Sequence, residues 1–195
     1  MVKNLALTGC ISVVMYTLVT GVLYPLAVTG IAQLAFPDRA NGSLVSEGGK
    51  IVGSELIGQR FTSARYIWSR PSATPEYSYN GGSSAGSNYG PLNPALLNAV
   101  KQRVHRLHSA DPANQRPIPV DLVTASASGL DPHISVAAAL YQVPRVSLER
   151  HLRAEEVRII VEHSIVPRTF GILGEPRVNV LQLNLMLDRH GKGGN

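Results

Sequence analysis

Between Lys3 and Asp38 no charged side chain occurs, a run of 34 residues rich in Leu, Val, Ala, Ile and Thr. About 20 such residues in a helix cross a hydrocarbon core of roughly 30 Å. The run therefore predicts one transmembrane helix with length left for tilt or projection. A cleaved signal has a shorter apolar region, about 7 to 15 residues, ending at an A-x-A-like site. No A-x-A lies in this run, and only Leu5, Ala6 and Leu7 precede the Cys10 of a lipoprotein-like Leu7-Thr8-Gly9-Cys10. The pattern favours a retained anchor over residues 1–37 and one domain over residues 38–195. Inside the span, Thr8 and Ser12, then Thr17 and Gly21, set small residues four apart, which lets another helix approach closely in lipid. Pro25 removes a backbone hydrogen bond and predicts a bend.

Beyond the span the pattern shortens and mixes. Two apolar stretches at 42–45 and 50–53 flank Ser46-Glu47-Gly48-Gly49, a hairpin signal. Residues 61–68 read as another short strand, and residues 72–91, rich in Gly, Ser, Asn and Tyr, as a loop with little to bury. Asn93 is placed to cap a helix with Pro94 in its first turn. Leu96, Leu97, Val100, Val104 and Leu107 form its apolar stripe, leaving Lys101, Arg103 and Arg106 to water. Asp131 and Pro132 resemble a second cap ahead of a helix over 134–141 that stops before Pro144. Residues 147–163 read as helical with a break near Ala154, Leu148, Leu152, Val157, Ile160 and Val161 facing inward. At 181, 183, 185 and 187 leucine alternates with Gln182, Asn184 and Met186, and period two argues a strand over 177–187. The fold class expected is one N-terminal transmembrane helix plus a mixed α/β (α+β) soluble domain.

Charge sets the location. The chain carries 18 Lys and Arg against 13 Asp and Glu, and only Lys3 precedes the span. A basic flank favours a cytoplasmic N-terminus, while long domains translocate largely regardless of charge. The domain is therefore expected outside the cytoplasm. Cys10 is the only cysteine and lies in the span, so the domain has no thiol to oxidise. The basic residues are scattered, without the run that marks nucleic-acid binding.

Few motifs carry chemistry. Gly82-Ser83-Ser84-Ala85-Gly86 matches G-x-S-x-G, with Asp131 and His163 following in hydrolase order. That elbow needs a buried strand before it and a helix after it, and the flanking Ser, Asn and Tyr supply neither. His105 and His108 lie three apart among Lys101, Arg103 and Arg106, with no third ligand of the kind zinc requires. They read as surface residues. No G-x-x-x-x-G-K-[ST] occurs, so the Gly-rich loop is not a nucleotide P-loop.

What remains is a series of stiff polar segments: Ser69-Arg70-Pro71-Ser72-Ala73, residues 86–95, Val123-Thr124-Ala125-Ser126 with residues 129–135, Tyr141-Gln142-Val143-Pro144-Arg145-Val146, and Gly174-Glu175-Pro176-Arg177-Val178-Asn179. In this order behind one span, they closely resemble KdpC, the family of C subunits of the bacterial Kdp potassium-transporting P-type ATPase. Ala127 stands where the family commonly has glycine, and Tyr89 where leucine is common. The resemblance implies a non-catalytic accessory subunit, single-pass in the inner membrane with a periplasmic domain. It also implies three partners: a channel-like potassium-translocating subunit, the ATP-hydrolysing pump subunit and a small single-span subunit. The family is described as a catalytic chaperone that raises the ATP affinity of the pump. No cofactor is expected to bind tightly, and ATP enters only through the pump subunit. Gln142 is the best match to a family glutamine credited with contacting ATP. Yet a residue across the bilayer cannot touch cytoplasmic ATP, and the architectural reading is a helix-end side chain bonded to backbone near Pro144. Thr17, Gly21, Arg70, Ser87, Asn88, Asn93, Asp131, His133, Glu175 and Arg177 are the candidate partner contacts. An independent membrane-anchored binding module is the alternative function.

Overall fold

The computed structural model describes residues 2–192 and divides into two compact units, one up to Leu44 and one from Val45 onward. The first is the span. Helix α1 (Val2–Leu18), a π-helical turn (Val19–Leu23) and α2 (Tyr24–Ala35) form one helical segment, Val2–Ala35, long and apolar enough to cross a membrane. The π turn answers Pro25. Its ring crowds the carbonyl four residues back and offers no N–H, so the helix widens and the Tyr24 N–H reaches the Val19 carbonyl. A short helix α3 (Pro37–Ala40) follows, and the Asn41 and Gln33 side-chain amides bond each other.

The expected hairpin forms, β1 (Leu44–Glu47) and β2 (Lys50–Ser54). Gly48 and Gly49 have φ of 58° and 78°, the left-handed pair that a tight two-residue turn between twisted strands requires. Helix α4 (Pro94–Ala110) begins as expected, the Ala95 N–H donating to Asn93 Oδ1 at 2.9 Å. Its stripe is narrower than expected. Leu107 is buried and Val100 and Val104 half-buried, while Leu97 is exposed. Arg103, expected in water, is half-buried and its Nη1 donates to the Val123 carbonyl at 2.7 Å; Arg106 is exposed as expected, with its guanidinium laid 4.2 Å from the Trp68 ring.

The central sheet has three antiparallel strands in the order β3 (His133–Ser135), β5 (Arg177–Asn179), β4 (Ile165–Val166). Val178 stands opposite Ile134 on one side and Ile165 on the other. Helices α5 (Val136–Tyr141), α6 (Val143–Arg150), α7 (Ala154–His163) and α8 (Val180–Lys192) complete the α+β domain. Its core joins Ile134 and Val178 of the sheet to Ala138, Val146, Val157, Val161, Leu183 and Leu187.

Four expectations are corrected. Residues 177–187 are not one strand: the strand ends at Asn179 and α8 begins at Val180. Val180, Leu183, Asn184 and Leu187 are the buried face, a helical spacing that the polar Asn184 disguises. Asp131 does not cap a helix, because residues 133–135 are extended. The cap is Ser135, whose Oγ accepts the Ala138 N–H at 3.0 Å. The helix expected from 147 begins at Val143, so Val146, Ser147 and the Arg150 side chain face inward and Leu148 is 75% exposed. The break falls as expected, with His151 left-handed at φ 56° and α7 starting at Ala154.

The fourth correction concerns residues 61–68, which form no strand. They run as an irregular strap with a turn over 63–66, the Tyr66 N–H reaching the Ser63 carbonyl at 3.2 Å, and the rest of its backbone is bonded largely by side chains. Asn184 Oδ1 accepts the Ile67 N–H at 2.9 Å and Asn184 Nδ2 donates to the Ile67 carbonyl at 3.0 Å. Gln142 repeats this on Trp68, accepting its N–H at 2.8 Å and donating to its carbonyl at 3.1 Å. Arg145 donates to the Ala64 and Tyr66 carbonyls, and Arg150 to that of Arg65. Buried backbone groups need partners, and here two primary amides play the part of a neighbouring strand. Gln142→Leu would orphan both Trp68 groups and one Arg145 donor. The full chain in detergent is expected to lose about 3 kcal/mol or more, read by denaturant unfolding. Leu148→Ser, at an exposed helix position, should stay within about 0.5 kcal/mol of the parent.

Candidate functional site

Edge strand β3 positions the site. An edge exposes unpaired backbone donors, and here carboxylates meet them. Asp131 Oδ1 accepts the His133 N–H at 3.0 Å, and Asp121 Oδ2 accepts the Ser135 N–H at 2.7 Å. Ser135 Oγ also donates to Asp121 Oδ1 at 3.1 Å. Asp121 was not singled out in the sequence, since an isolated acid gives no signal until the strand beside it is placed.

Around this edge lies an open groove of about 680 Å³ whose lining includes Arg70, Asp131, His133, Glu175 and Arg177. Half of the candidate contacts, dispersed over a hundred residues of sequence, thus share one surface. Arg70 Nη1 donates to Asp131 Oδ2 at 3.3 Å, and His133 Nδ1 lies 3.6 Å from Asp131 Oδ1. Glu175 pairs with Arg168 at 2.6 Å; the pair is exposed and contributes little stability. Arg177 stands opposite Ser135 in the register and takes part in no ion pair among the described residues.

Asp131 is the electrostatic centre. Burial pushes its carboxyl upward, but hydrogen bonds from the His133 side chain and backbone and from Arg70 outweigh burial and hold it below the usual carboxylate range.

The other candidates lie elsewhere. Asn93 is the α4 cap. Asn88 is exposed at φ 52°, a left-handed position that asparagine adopts more readily than most residues. Neighbouring Ser87 is half-buried in the same loop. That loop is not loosely held. Ser72 Oγ donates to the Gly129 carbonyl at 2.7 Å and accepts the Tyr79 N–H at 2.9 Å, and the Ala85 N–H reaches the Ser128 carbonyl at 3.1 Å. Gly86 presses so closely on this segment that a Cβ would stand 2.7 Å from the Ala127 carbonyl oxygen. Thr17 and Gly21 lie one turn apart on the span, both exposed.

Gln142 is 1% exposed, and besides the strap it accepts from Arg145 Nη2 at 2.6 Å and donates to the Ala138 carbonyl at 3.2 Å. Its backbone partners are therefore Trp68 and Ala138, not residues near Pro144. Arg145 is itself buried, and burial pulls its guanidinium down to about 10, still charged at neutral pH.

The serine constellation does not assemble. Ser84 Oγ donates to the Ser128 carbonyl, His163 Nδ1 bonds the Ile159 carbonyl of its own helix, and Asp131 is held by Arg70 and His133. His105 and His108 are exposed, and no group of three metal-ligating side chains occurs among the described residues.

A family model described as KdpC, K+-transporting ATPase c chain, matches residues 6–189. The chain belongs to the KdpC family. It is 60% identical over 175 residues to the "Potassium-transporting ATPase KdpC subunit" of Dechloromonas aromatica, covering 90% of this chain and 92% of that protein. It is 60% identical over 173 residues to the protein of that name from Methylococcus capsulatus, covering 89% and 91%. The protein of that name from Polaromonas naphthalenivorans is 57% identical over 186 residues, covering 95% of each chain. For this KdpC member the match takes in most of the span, the strap and the groove beside β3, so it bears on the architecture as a whole.

The lowered Asp131 value has a signed consequence. Its stabilisation is fully present above the unfolded carboxyl value of about 3.9 and is lost as pH falls through the lower folded value. Asp131→Asn is expected to melt below the parent at pH 7, and the gap should narrow below pH about 4. Thermal unfolding of the detergent-solubilised chain across that range checks this; a gap independent of pH would refute the assignment.

Proposed function

We propose that this chain is the single-span accessory subunit of a potassium-transporting ATPase, its domain extracytoplasmic, contributing contacts rather than catalytic groups. The observation that carries the reading is the family match over 6–189, joined to a domain whose best-placed polar groups are bonded to its own backbone. Its partners are the channel-like, pump and small single-span subunits. Thr17 and Gly21 offer the close-packing face within lipid. Arg70, Asp131, His133, Glu175 and Arg177 offer a mixed-charge face on the domain, with Ser87, Asn88 and Asn93 on the adjoining loop and cap.

In this reading the subunit binds no cofactor of its own. Gln142 acts as architecture, its amide spent on the strap, and ATP is held by the pump subunit. An effect on ATP affinity then passes through subunit contacts as a coupling free energy, typically about 1 to 3 kcal/mol. Orientation rests on Lys3 as the short basic flank of the span.

Two measurements test this. A tagged chain solubilised in mild detergent should bring larger membrane subunits with it; purification alone, with a small ligand bound, would favour the independent binding module. Added protease should reach the domain in intact spheroplasts. Cleavage only after lysis would overturn the orientation and reopen direct contact between Gln142 and nucleotide.

A further inference from the structure

A second groove, of about 280 Å³, lies where the strap passes α4. Its lining includes Arg60, Arg70, Arg103 and Arg106 over Phe61 and Trp68, and no carboxylate. Arg70 is neutralised by Asp131. Arg60, Arg103 and Arg106 take part in no ion pair among the described residues. Arg103 is held to the Val123 carbonyl. Arg106 rests on Trp68, and Arg145 lies at the same 4.2 Å from that ring. Two like charges thus lie against one aromatic side chain.

Crowding without counter-charge has a cost. Burial lowers both Arg103 and Arg106 from their ordinary value, and the nearby Arg60 charge lowers Arg106 further. Arg103 is half-buried without a counter-charge, while Arg60 and Arg106 stand exposed beside it; a charge partly withdrawn from water is costly, whereas an arriving carboxylate meets the guanidinium fork with paired, charge-assisted hydrogen bonds. The groove also has an apolar floor of Phe61, Trp68, Leu107 and Leu122, which a bare inorganic anion would leave uncovered. It falls just below the roughly 300–1,000 Å³ of small-molecule sites, room for one or two side chains.

We propose that this groove receives an acidic segment of a partner protein, one Asp or Glu carboxylate lodged among Arg60, Arg103 and Arg106 while an adjacent apolar side chain covers Phe61 and Leu107. The partner is taken to be a larger subunit of the potassium-transporting ATPase, so this inference rests on the reading above for its occupant's identity. The mixed-charge groove beside β3 is a separate surface, sharing only Arg70.

The test uses the full complex, purified through a tag on a larger subunit. Arg60→Glu, at an exposed position, should lower the amount of this chain retained by about tenfold or more, while Arg60→Lys retains most of it. Retention of the parent should weaken as salt rises, and that of Arg60→Glu should not weaken further. A photo-crosslinking phenylalanine in place of Ser78, which lines the groove, should trap in intact cells a peptide containing Asp or Glu, and Arg60→Glu should abolish the crosslink. Parental retention of Arg60→Glu beside a normal parent complex overturns the groove while leaving the subunit reading intact. A crosslinked peptide without acidic residues, or no crosslink, also overturns it. If the parent fails to co-purify, the subunit reading falls, and the crosslink decides the groove by itself.

Discussion

Two buried primary amides clamp an irregular segment that belongs to no sheet, and much of the domain is organised around that clamp. Gln142 sits between α5 and α6, and Asn184 lies in the middle of α8. Each returns a donor and an acceptor to one residue of the strap, Trp68 and Ile67 respectively. A true neighbouring strand would satisfy the same groups but would fill the space the helices occupy. Side chains do it instead, and Ile67 is fully buried in the core. The charged members reinforce this. Arg150 joins the Arg65 and Leu187 carbonyls to the Asp188 carboxylate, which also accepts from the Tyr66 hydroxyl. Such a network is stabilising only while every member is satisfied, which ties the strap to both helices at once.

The clamp also explains where the sites fall. Trp68 ends the strap and Arg70 follows two residues later, so fixing the Trp68 backbone fixes both. Trp68 becomes the platform on which Arg106 lies, and Arg70 reaches the carboxylate that protects the edge of β3. One mechanical constraint therefore bears on two grooves that share Arg70. In the first, positive and negative groups largely cancel within the domain. In the second, the cations face no acid.

What was legible in the sequence was whatever local chemistry decides. The uncharged run, the Gly48-Gly49 turn and the Asn93-Pro94 helix start each carry their cause within a few residues. Illegible were the positions where a polar side chain serves the interior. Asn184 on the buried face of α8 turned a helical pattern into an apparent alternation. Arg145 and Ser147 did the same for α6, and drew Leu148 inward on paper when it faces outward. Asp131 had the right neighbours for a cap, yet its partner is the amide of an edge strand and a guanidinium 61 residues away. Five candidate contacts converged on one groove because the motif segments that carried them are joined by the strap and the sheet, a relation no spacing along the chain expresses.

The distribution of charge bears on how such a subunit could influence transport. From Asp38 onward 17 basic residues oppose 13 acidic ones, and a net positive body repels potassium at long range. Salt confines that repulsion to roughly 8 Å. The acids beside β3 do not reverse it locally, because Arg70 offsets Asp131, Arg168 offsets Glu175, and Arg177 lines the same groove as Asp121. Attraction of the transported ion is thus a poor account of the domain. Shape and contact are better ones: a clamped strap, a rigid loop pressed on the 124–131 segment, and unpaired cations over an aromatic floor are features that discriminate between neighbouring proteins. On the proposed reading, work done at those contacts reaches the pump only as a difference in affinity between its states, since a ligand that favours no state shifts none.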